Sequence, residues 1–257
     1  MAHIIAHPGR TLRLPLLGMG RRLLSRVGGD CPLCGARVAG ARLCAGCQAD
    51  ILAGPPGASA RCPQCALRLK GGGQHCAACL AAPRTFSRTV AAFDYAPPGD
   101  TLILMLKTQL RLSMAPVLAR LMAQALQAAD GAASPGAGAW PADLLLVPIP
   151  ASRASLRQRG MNPAAEIARS LAAELSLPAP RLVLARRRET PRQATLDRRA
   201  RQRGAVGLFT CTGTVLGRHV AVVDDVMTTG STAGAAAHAL MAAGAASVTV
   251  LVAARTP

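Results

Sequence analysis

Four Cys-x-x-Cys pairs stand between Cys31 and Cys79, and they dictate how that stretch can fold. The pairs are Cys31/Cys34, Cys44/Cys47, Cys62/Cys65 and Cys76/Cys79, eight of the nine cysteines in the chain. Each pair is a knuckle that offers two thiolates to one tetrahedral ion. Nine residues separate the first two knuckles and ten the last two, and Cys-Pro-x-Cys at 31 and 62 alternates with Cys-Ala-x-Cys at 44 and 76. The segment is therefore an approximate tandem repeat, and two four-cysteine zinc ribbons follow. A tract with so few large apolar side chains cannot fold on burial alone. Structural zinc contributes about 10–16 kcal/mol of apparent binding energy to such units. With cysteine at every position around each ion, the zinc is structural and leaves no site open for catalysis.

Three other readings compete. Disulfides need an oxidising compartment, and the chain has no convincing export signal. A thioredoxin-like redox motif uses one Cys-x-x-Cys in a strand–helix unit, whereas four occur here. Iron–sulfur ligation fits the paired spacing less well. The grouping of ligands stays open: sequential pairing competes with a cross-braced arrangement joining the 31/34 and 62/65 knuckles, and the short loops within each group favour the sequential one. Cys211 stands apart in a strand-like Phe-Thr-Cys-Thr and reads as a buried small residue. His75 lies beside Cys76, where eight cysteines already suffice.

A second feature bears on chemistry. Residues 220–232 read Val-Ala-Val-Val-Asp-Asp-Val-Met-Thr-Thr-Gly-Ser-Thr, and an Ala-rich stretch follows. The apolar run fits a parallel strand covered on both faces. The loop leads into a helix whose N-terminal N–H groups favour a phosphate, by about 0.3–2 kcal/mol for an anion. Asp224 and Asp225 can hold sugar hydroxyls directly or through a metal. A sugar phosphate fits this layout. A P-loop NTPase would need Gly-x-x-x-x-Gly-Lys-Ser/Thr elsewhere, and neither Lys70 nor Lys107, the two lysines of the chain, follows such a loop.

Composition limits the partners. The net charge is +18, and 28 of the 30 basic residues are arginine. Such an excess favours polyanions: nucleic acid, phosphorylated substrates or an acidic partner. Three Phe, one Tyr and one Trp offer little base-stacking surface. Nucleic-acid binding would then be electrostatic, falling by about 0.9 log units per phosphate contact per log unit of salt. No apolar run approaches the roughly 18 residues of a membrane helix, and a cytoplasmic location is expected. Residues 1–28 are basic and apolar. Arg21 and Arg22 interrupt any signal-peptide core, so a short leader helix is expected there, followed by the double ribbon over 29–82 and a larger domain over 85–257.

In that larger part, Thr85–Tyr95, Leu144–Val147, Val220–Val223 and Val248–Val252 read as strands. Leu102–Leu106, Pro116–Ala128 and Asn162–Leu175 read as helices, and Gly131–Gly138 as a flexible loop. Alternating strands and helices predict an α/β fold with a parallel sheet flanked by helices. Its ligands bind at the carboxyl ends of the strands, where Asp224-Asp225 stands. Residues 181–203 carry nine arginines, and a long polar loop of this kind is often a lid.

The 220–232 segment resembles the phosphoribosyl-diphosphate (PRPP) motif of type I phosphoribosyltransferases. That resemblance implies that Asp224 and Asp225 take the ribose. With Val226 and Met227, the loop Thr228, Thr229, Gly230, Ser231 and Thr232 would take the 5′-phosphate, and Mg²⁺ would bridge ribose and pyrophosphate oxygens. Pro148-x-Pro150, Arg159-Gly160-Met161-Asn162, and Thr190, Gln193, Leu196 and Arg201 in the Arg-rich loop together resemble the ComF family, which is linked to competence and DNA uptake. The family often has Asn where Gly204 stands. By the same resemblance, Pro150, Ala151, Ser152, Arg153 and Arg159 would face the pyrophosphate, Thr190, Gln193 and Arg201 would belong to its lid, and the N-terminal ribbons belong to the pattern. The implied partners are PRPP or a nucleotide-like ligand, with single-stranded DNA and DNA-uptake proteins. The implied reaction class is phosphoribosyl transfer, a glycosyltransferase chemistry. A non-catalytic module binding single-stranded DNA or a partner through the same fold is the alternative.

Overall fold

The computed structural model describes residues 28–54, 60–69, 71, 73–131, 141, 143–187 and 207–257. The expected leader helix, the 131–138 loop beyond its first residue, and the Arg-rich segment with Thr190, Gln193 and Arg201 lie outside the described residues.

The cysteine repeat forms two similar units. The first has a short antiparallel hairpin, β1 (Gly28–Asp30) with β2 (Arg37–Ala39), and a helix α1 (Ala45–Ala53). The second replaces the hairpin by an isolated bridge, Arg61 to Arg68, and ends in α2 (Ala77–Ala81). Each leading knuckle closes alike: Gly35 N donates to Cys31 O at 2.9 Å, and Ala66 N to Cys62 O at 2.7 Å. The turn needs a left-handed residue, and the two repeats fill it differently, with Gly35 at φ 74° and buried Ala66 at φ 57°. An L-residue there costs roughly 1–2 kcal/mol.

The rest is an α/β layer structure. A four-stranded, wholly parallel sheet has the order β3-β8-β7-β4. Its strands are β3 (Arg88–Asp94), β4 (Leu145–Pro148), β7 (His219–Met227) and β8 (Ser247–Arg255). The central pair is apolar throughout its middle, and Val220 to Val223 and Val250 to Ala254 are at most 1% exposed, as expected for strands covered on both faces. Helices α3 (Gly99–Lys107), α4 (Met114–Gly131) and α6 (Pro163–Glu174) cover one face. Helix α7 (Ser231–Ala242) covers the other, with a hairpin of β5 (Leu184–Arg186) and β6 (Phe209–Cys211) packed against it. The parallel sheet and its helices match the expectation from sequence. The β5–β6 hairpin adds to it.

Both sheet edges are met by other backbone. Arg181 N donates to Leu146 O of β4 at 2.9 Å. On β3, Thr89 N donates to Pro63 O at 3.1 Å and Thr89 Oγ1 to Gln64 O at 2.8 Å, so the 62/65 knuckle caps that edge. Asp94, the last residue of β3, is 8% exposed. It is clamped by two arginines of the second unit, Arg61 at 2.7 Å and Arg68 at 3.0 Å. The first unit docks on the opposite side, where Arg120 Nη1 of α4 donates to Ala41 O at 2.6 Å.

Candidate functional site

The strand carrying the aspartates runs further than the apolar run alone predicts. β7 stays paired with β8 through Asp224↔Val252, Val226↔Ala254 and Met227↔Arg255, because β8 is long enough to supply partners. The connecting loop shrinks to Thr228–Gly230, and α7 starts at Ser231. Gly230 takes φ 76°, and a Cβ there would stand 2.5 Å from Met227 Cε. Thr229 Oγ1 and Ser231 Oγ are 2.9 Å apart, so the hydroxyls brace the turn.

This loop opens on a cleft of about 870 Å³ at the carboxyl ends of β4 and β7. Asp224, Asp225, Val226, Met227, Thr228, Gly230, Ser231 and Thr232 line it, as do Pro150, Ala151, Ser152 and Arg159 from across the cleft. Thr229 and Arg153 are not among the lining residues. Thr190, Gln193 and Arg201 are outside the described residues.

The opposite wall is built by caps. Ile149 N donates to Val223 O at 2.9 Å, which ties the Pro148-Ile-Pro150 turn to β7. Ser152 caps α5 (Arg153–Arg159), accepting from Ser155 N at 3.1 Å. Gly160, at φ 70°, ends that helix in the left-handed conformation that glycine adopts without steric cost. Asn162 then acts twice. Its Oδ1 accepts from Ala164 N at 3.2 Å, starting α6, and its Nδ2 donates to Ile149 O at 2.9 Å. The Arg-Gly-Met-Asn element thereby fixes the proline turn.

Among the described residues, the basic side chains that reach the cleft are Lys107, Arg159 and Arg186. Lys107 Nζ lies 2.8 Å from Asp225 Oδ1. Arg186, at the end of β5, stacks over Phe209 at 5.2 Å and donates from Nη2 to Pro150 O at 3.4 Å. Asp225 is 7% exposed and Asp224 half-buried. Burial and then the neighbouring Asp225 charge push the Asp224 carboxyl up to about 7, with Lys107 opposing. Sequence reasoning passed over Lys107 and Arg186. One signal existed for Lys107, as one of two lysines among 30 basic residues. Arg186 had none, because its role depends on the hairpin.

A second cavity, about 630 Å³, lies between the hairpin and α7. It shares Gly230 and Ser231 with the cleft, and Arg84, Arg187, Cys211 and His238 are on its walls. Cys211 is half-buried, with Sγ 3.2 Å from Gly213 O.

The cysteines group sequentially. Cys31, Cys34, Cys44 and Cys47 bring their sulfurs within 4.8 Å of one another, and so do Cys62, Cys65, Cys76 and Cys79. Each group could hold one zinc ion. The donor chemistry fits: four thiolates and a knuckle that presents amides to sulfur. Burial raises the Cys31 thiol, but N–H groups of Cys44, Cys34 and Leu33 more than offset it and bring it down to about 6. Cys62 is likewise raised by burial but held at about 7 by amides of Cys76, Cys65 and Gln64. Burial and neighbouring thiols push Cys65 up to about 12.

Among the described residues, no helix is long and apolar enough to cross a membrane. No family model matches the chain. It is 34% identical over 195 residues to DNA utilization protein YhgH of Escherichia coli (strain K12), covering 76% of this chain and 84% of that protein. The Salmonella typhimurium YhgH is 36% identical over the same length and shares. Competence protein F of Haemophilus influenzae is 31% identical over 196 residues, covering 74% of this chain and 80% of that protein. With a parallel α/β sheet, two four-cysteine groups and these relatives, the chain belongs to the ComF family.

Proposed function

We propose that the cleft binds PRPP or a closely related phosphoribosyl ligand with Mg²⁺, and that the protein serves DNA uptake and use in competence. The observation that carries the ligand reading is the convergence of unlike groups on one cleft. Asp224 and Asp225 stand on one wall, the hydroxyls of Thr228, Ser231 and Thr232 beside them, and Lys107, Arg159 and Arg186 around them. Carboxylates suit ribose hydroxyls, and the start of α7 suits a monophosphate. Guanidinium groups suit a pyrophosphate. The names of the relatives, DNA utilization protein and competence protein F, support the biological role.

The aspartates also fit Mg²⁺. Two adjacent carboxylates, one already pushed to about 7, carry more negative charge when ionised than Lys107 alone offsets. Mg²⁺ accepts such hard oxygen donors together with ligand oxygens and water, and when bound would neutralise charge on a departing pyrophosphate. The chain's own side chains do the rest. Asp224 and Asp225 orient the ribose, and the loop hydroxyls fix the phosphate. Arg159 and Arg186 stabilise the leaving group electrostatically as its bond to the anomeric carbon breaks. The second cavity adjoins the same loop and is the natural approach for an acceptor.

The net charge of +18 favours one further reading, a module that binds single-stranded DNA without transferring anything. One experiment separates the two. PRPP binding is measured with Mg²⁺ in the wild type and in Asp224→Asn/Asp225→Asn, and pyrophosphate release is followed across a panel of acceptors. Binding that the double variant abolishes, followed by release, supports transfer. Binding without release favours the non-catalytic module. Absence of PRPP binding in the wild type overturns the phosphoribosyl reading.

A further inference from the structure

The last residue of β8 joins the second cysteine group to the ligand loop. Arg255 is 6% exposed, so its charge must be met by protein groups. Its Nε donates to Cys65 O at 2.9 Å. Its Nη1 donates to Met227 O at 3.3 Å and also to Thr256 O. Met227 O accepts a further bond from Thr256 N at 3.0 Å. Met227 is the residue before Thr228, its side chain packs beneath Gly230, and both Met227 and Thr256 line the cleft. The path from knuckle to loop is therefore two hydrogen bonds long.

The metal matters to this path for an electrostatic reason. A divalent ion held by four thiolates is a net dianion. Arg255 faces it through Cys65, and Arg84 through Cys79. The same knuckle is fastened to β3 by Thr89, and its unit to Asp94 by Arg61 and Arg68. The first cysteine group has different neighbours. Its unit packs Cys31, Leu43 and Ile51 into the core beneath α3, α4 and α6, where Arg120, which also pairs with Glu174 at 3.1 Å, ties it down, whereas Met227 belongs to the core on the other face.

We propose that Arg255 is a positioning residue that couples metal occupancy of the 62/65/76/79 group to the shape of the 228–230 loop, so that this group controls ligand affinity in the cleft and the 31/34/44/47 group does not. With metal bound, the Cys65 carbonyl is fixed, Arg255 is held, and Met227 presents the loop in its binding form. Without it, the knuckle loosens and the guanidinium loses both the Cys65 acceptor and its counter-charge. The ligand part of the test rests on the phosphoribosyl reading, and the loop part does not.

The test compares Arg255→Gln, Cys76→Ser and Cys34→Ser with the wild type. It measures zinc per chain, amide exchange across residues 226–232 without ligand, and PRPP binding with Mg²⁺ by calorimetry. Arg255→Gln is expected to keep both metals, to speed loop exchange roughly tenfold and to weaken PRPP by a similar factor. Cys76→Ser should lose one metal and do the same. Cys34→Ser should lose one metal and leave both readouts within about twofold. If Cys76→Ser fails to fold, Arg255→Gln decides alone, because it keeps every cysteine. Loop exchange in Arg255→Gln equal to wild type overturns the coupling, and so does an equal effect of Cys34→Ser. A wild type that ignores PRPP overturns the phosphoribosyl reading instead, and amide exchange still decides the coupling.

Discussion

Lys107 Nζ sits 2.8 Å from Asp225 Oδ1, joining the end of α3 to β7. The lysine side chain is 25% exposed and the aspartate 10%, so the pair is largely shielded from water. Lys107→Met leaves two adjacent carboxylates without this counter-charge. Removing one partner of a buried pair costs about 3–5 kcal/mol, and partial exposure lowers this to about 2–3. Urea unfolding should show that loss at pH 8. The gap should narrow by pH 5, as protonation of Asp224, whose carboxyl is pushed up to about 7, removes part of the charge that Lys107 balances.

Asp224 makes its own pH dependence. Its carboxyl is raised from 3.8 to about 7, by burial first and by Asp225 second. The folded state therefore holds the proton more tightly than the unfolded chain. Its stabilising contribution is complete below pH about 4 and is lost as pH rises through about 7. At 1.36 kcal/mol per pH unit, the loss reaches at most about 4 kcal/mol. Asp224→Asn should match the wild type near pH 4 and exceed its stability at pH 8, in denaturant titrations across that range. The same variant should lose PRPP affinity.

Asp94 balances two arginines at once. Burial pushes the Arg61 guanidinium below its ordinary value, with Asp94 opposing. Asp94→Asn leaves Arg61 and Arg68 facing each other with 19% and 26% of their side chains exposed. The expected cost is about 3–4 kcal/mol. Proteolysis should then cut the second cysteine unit before the sheet, a difference visible by mass spectrometry.

Asn162 separates capping from loop fixation. Asn162→Ser keeps an acceptor for Ala164 N but loses the donor to Ile149 O, whereas Asn162→Ala loses both. The alanine variant should cost about 1–2 kcal/mol, and the serine variant, which loses only the bond to Ile149, about 0.5–1 kcal/mol. Both should weaken PRPP binding, because both release the proline turn. Thermal unfolding and calorimetry on the same samples read the two effects apart.

Gly230→Ala forces a side chain into a left-handed position with Met227 Cε 2.5 Å away. The backbone cost is roughly 1–2 kcal/mol. The methionine end can shift, so the fold should survive and the loop should not keep its form. The expected outcome is a small change in Tm with a large loss of PRPP affinity.

What was legible in the chain follows from range. Val220–Val223 and the cysteine knuckles are local patterns whose meaning survives without neighbours, and both appear in the structure as read. The end of β7 was not legible, because Asp224 to Met227 look like loop until β8 supplies a partner for them. Lys107 and Arg186 are distant in sequence from Asp224-Asp225, and Arg255 from Met227, and only the fold brings them together. Asn162 is visible as part of a motif, but its two simultaneous bonds depend on where the fold puts Ile149.

The knuckle at Cys62–Cys65 occupies the open side of β3, whose residues Ala91 to Phe93 are buried and apolar. An uncovered strand of that kind is a template for pairing with other chains. Metal starvation would therefore be felt first as self-association. A ComF protein made without zinc should be cleared or aggregate before it could be seen as merely inactive, and its cellular abundance should track zinc supply.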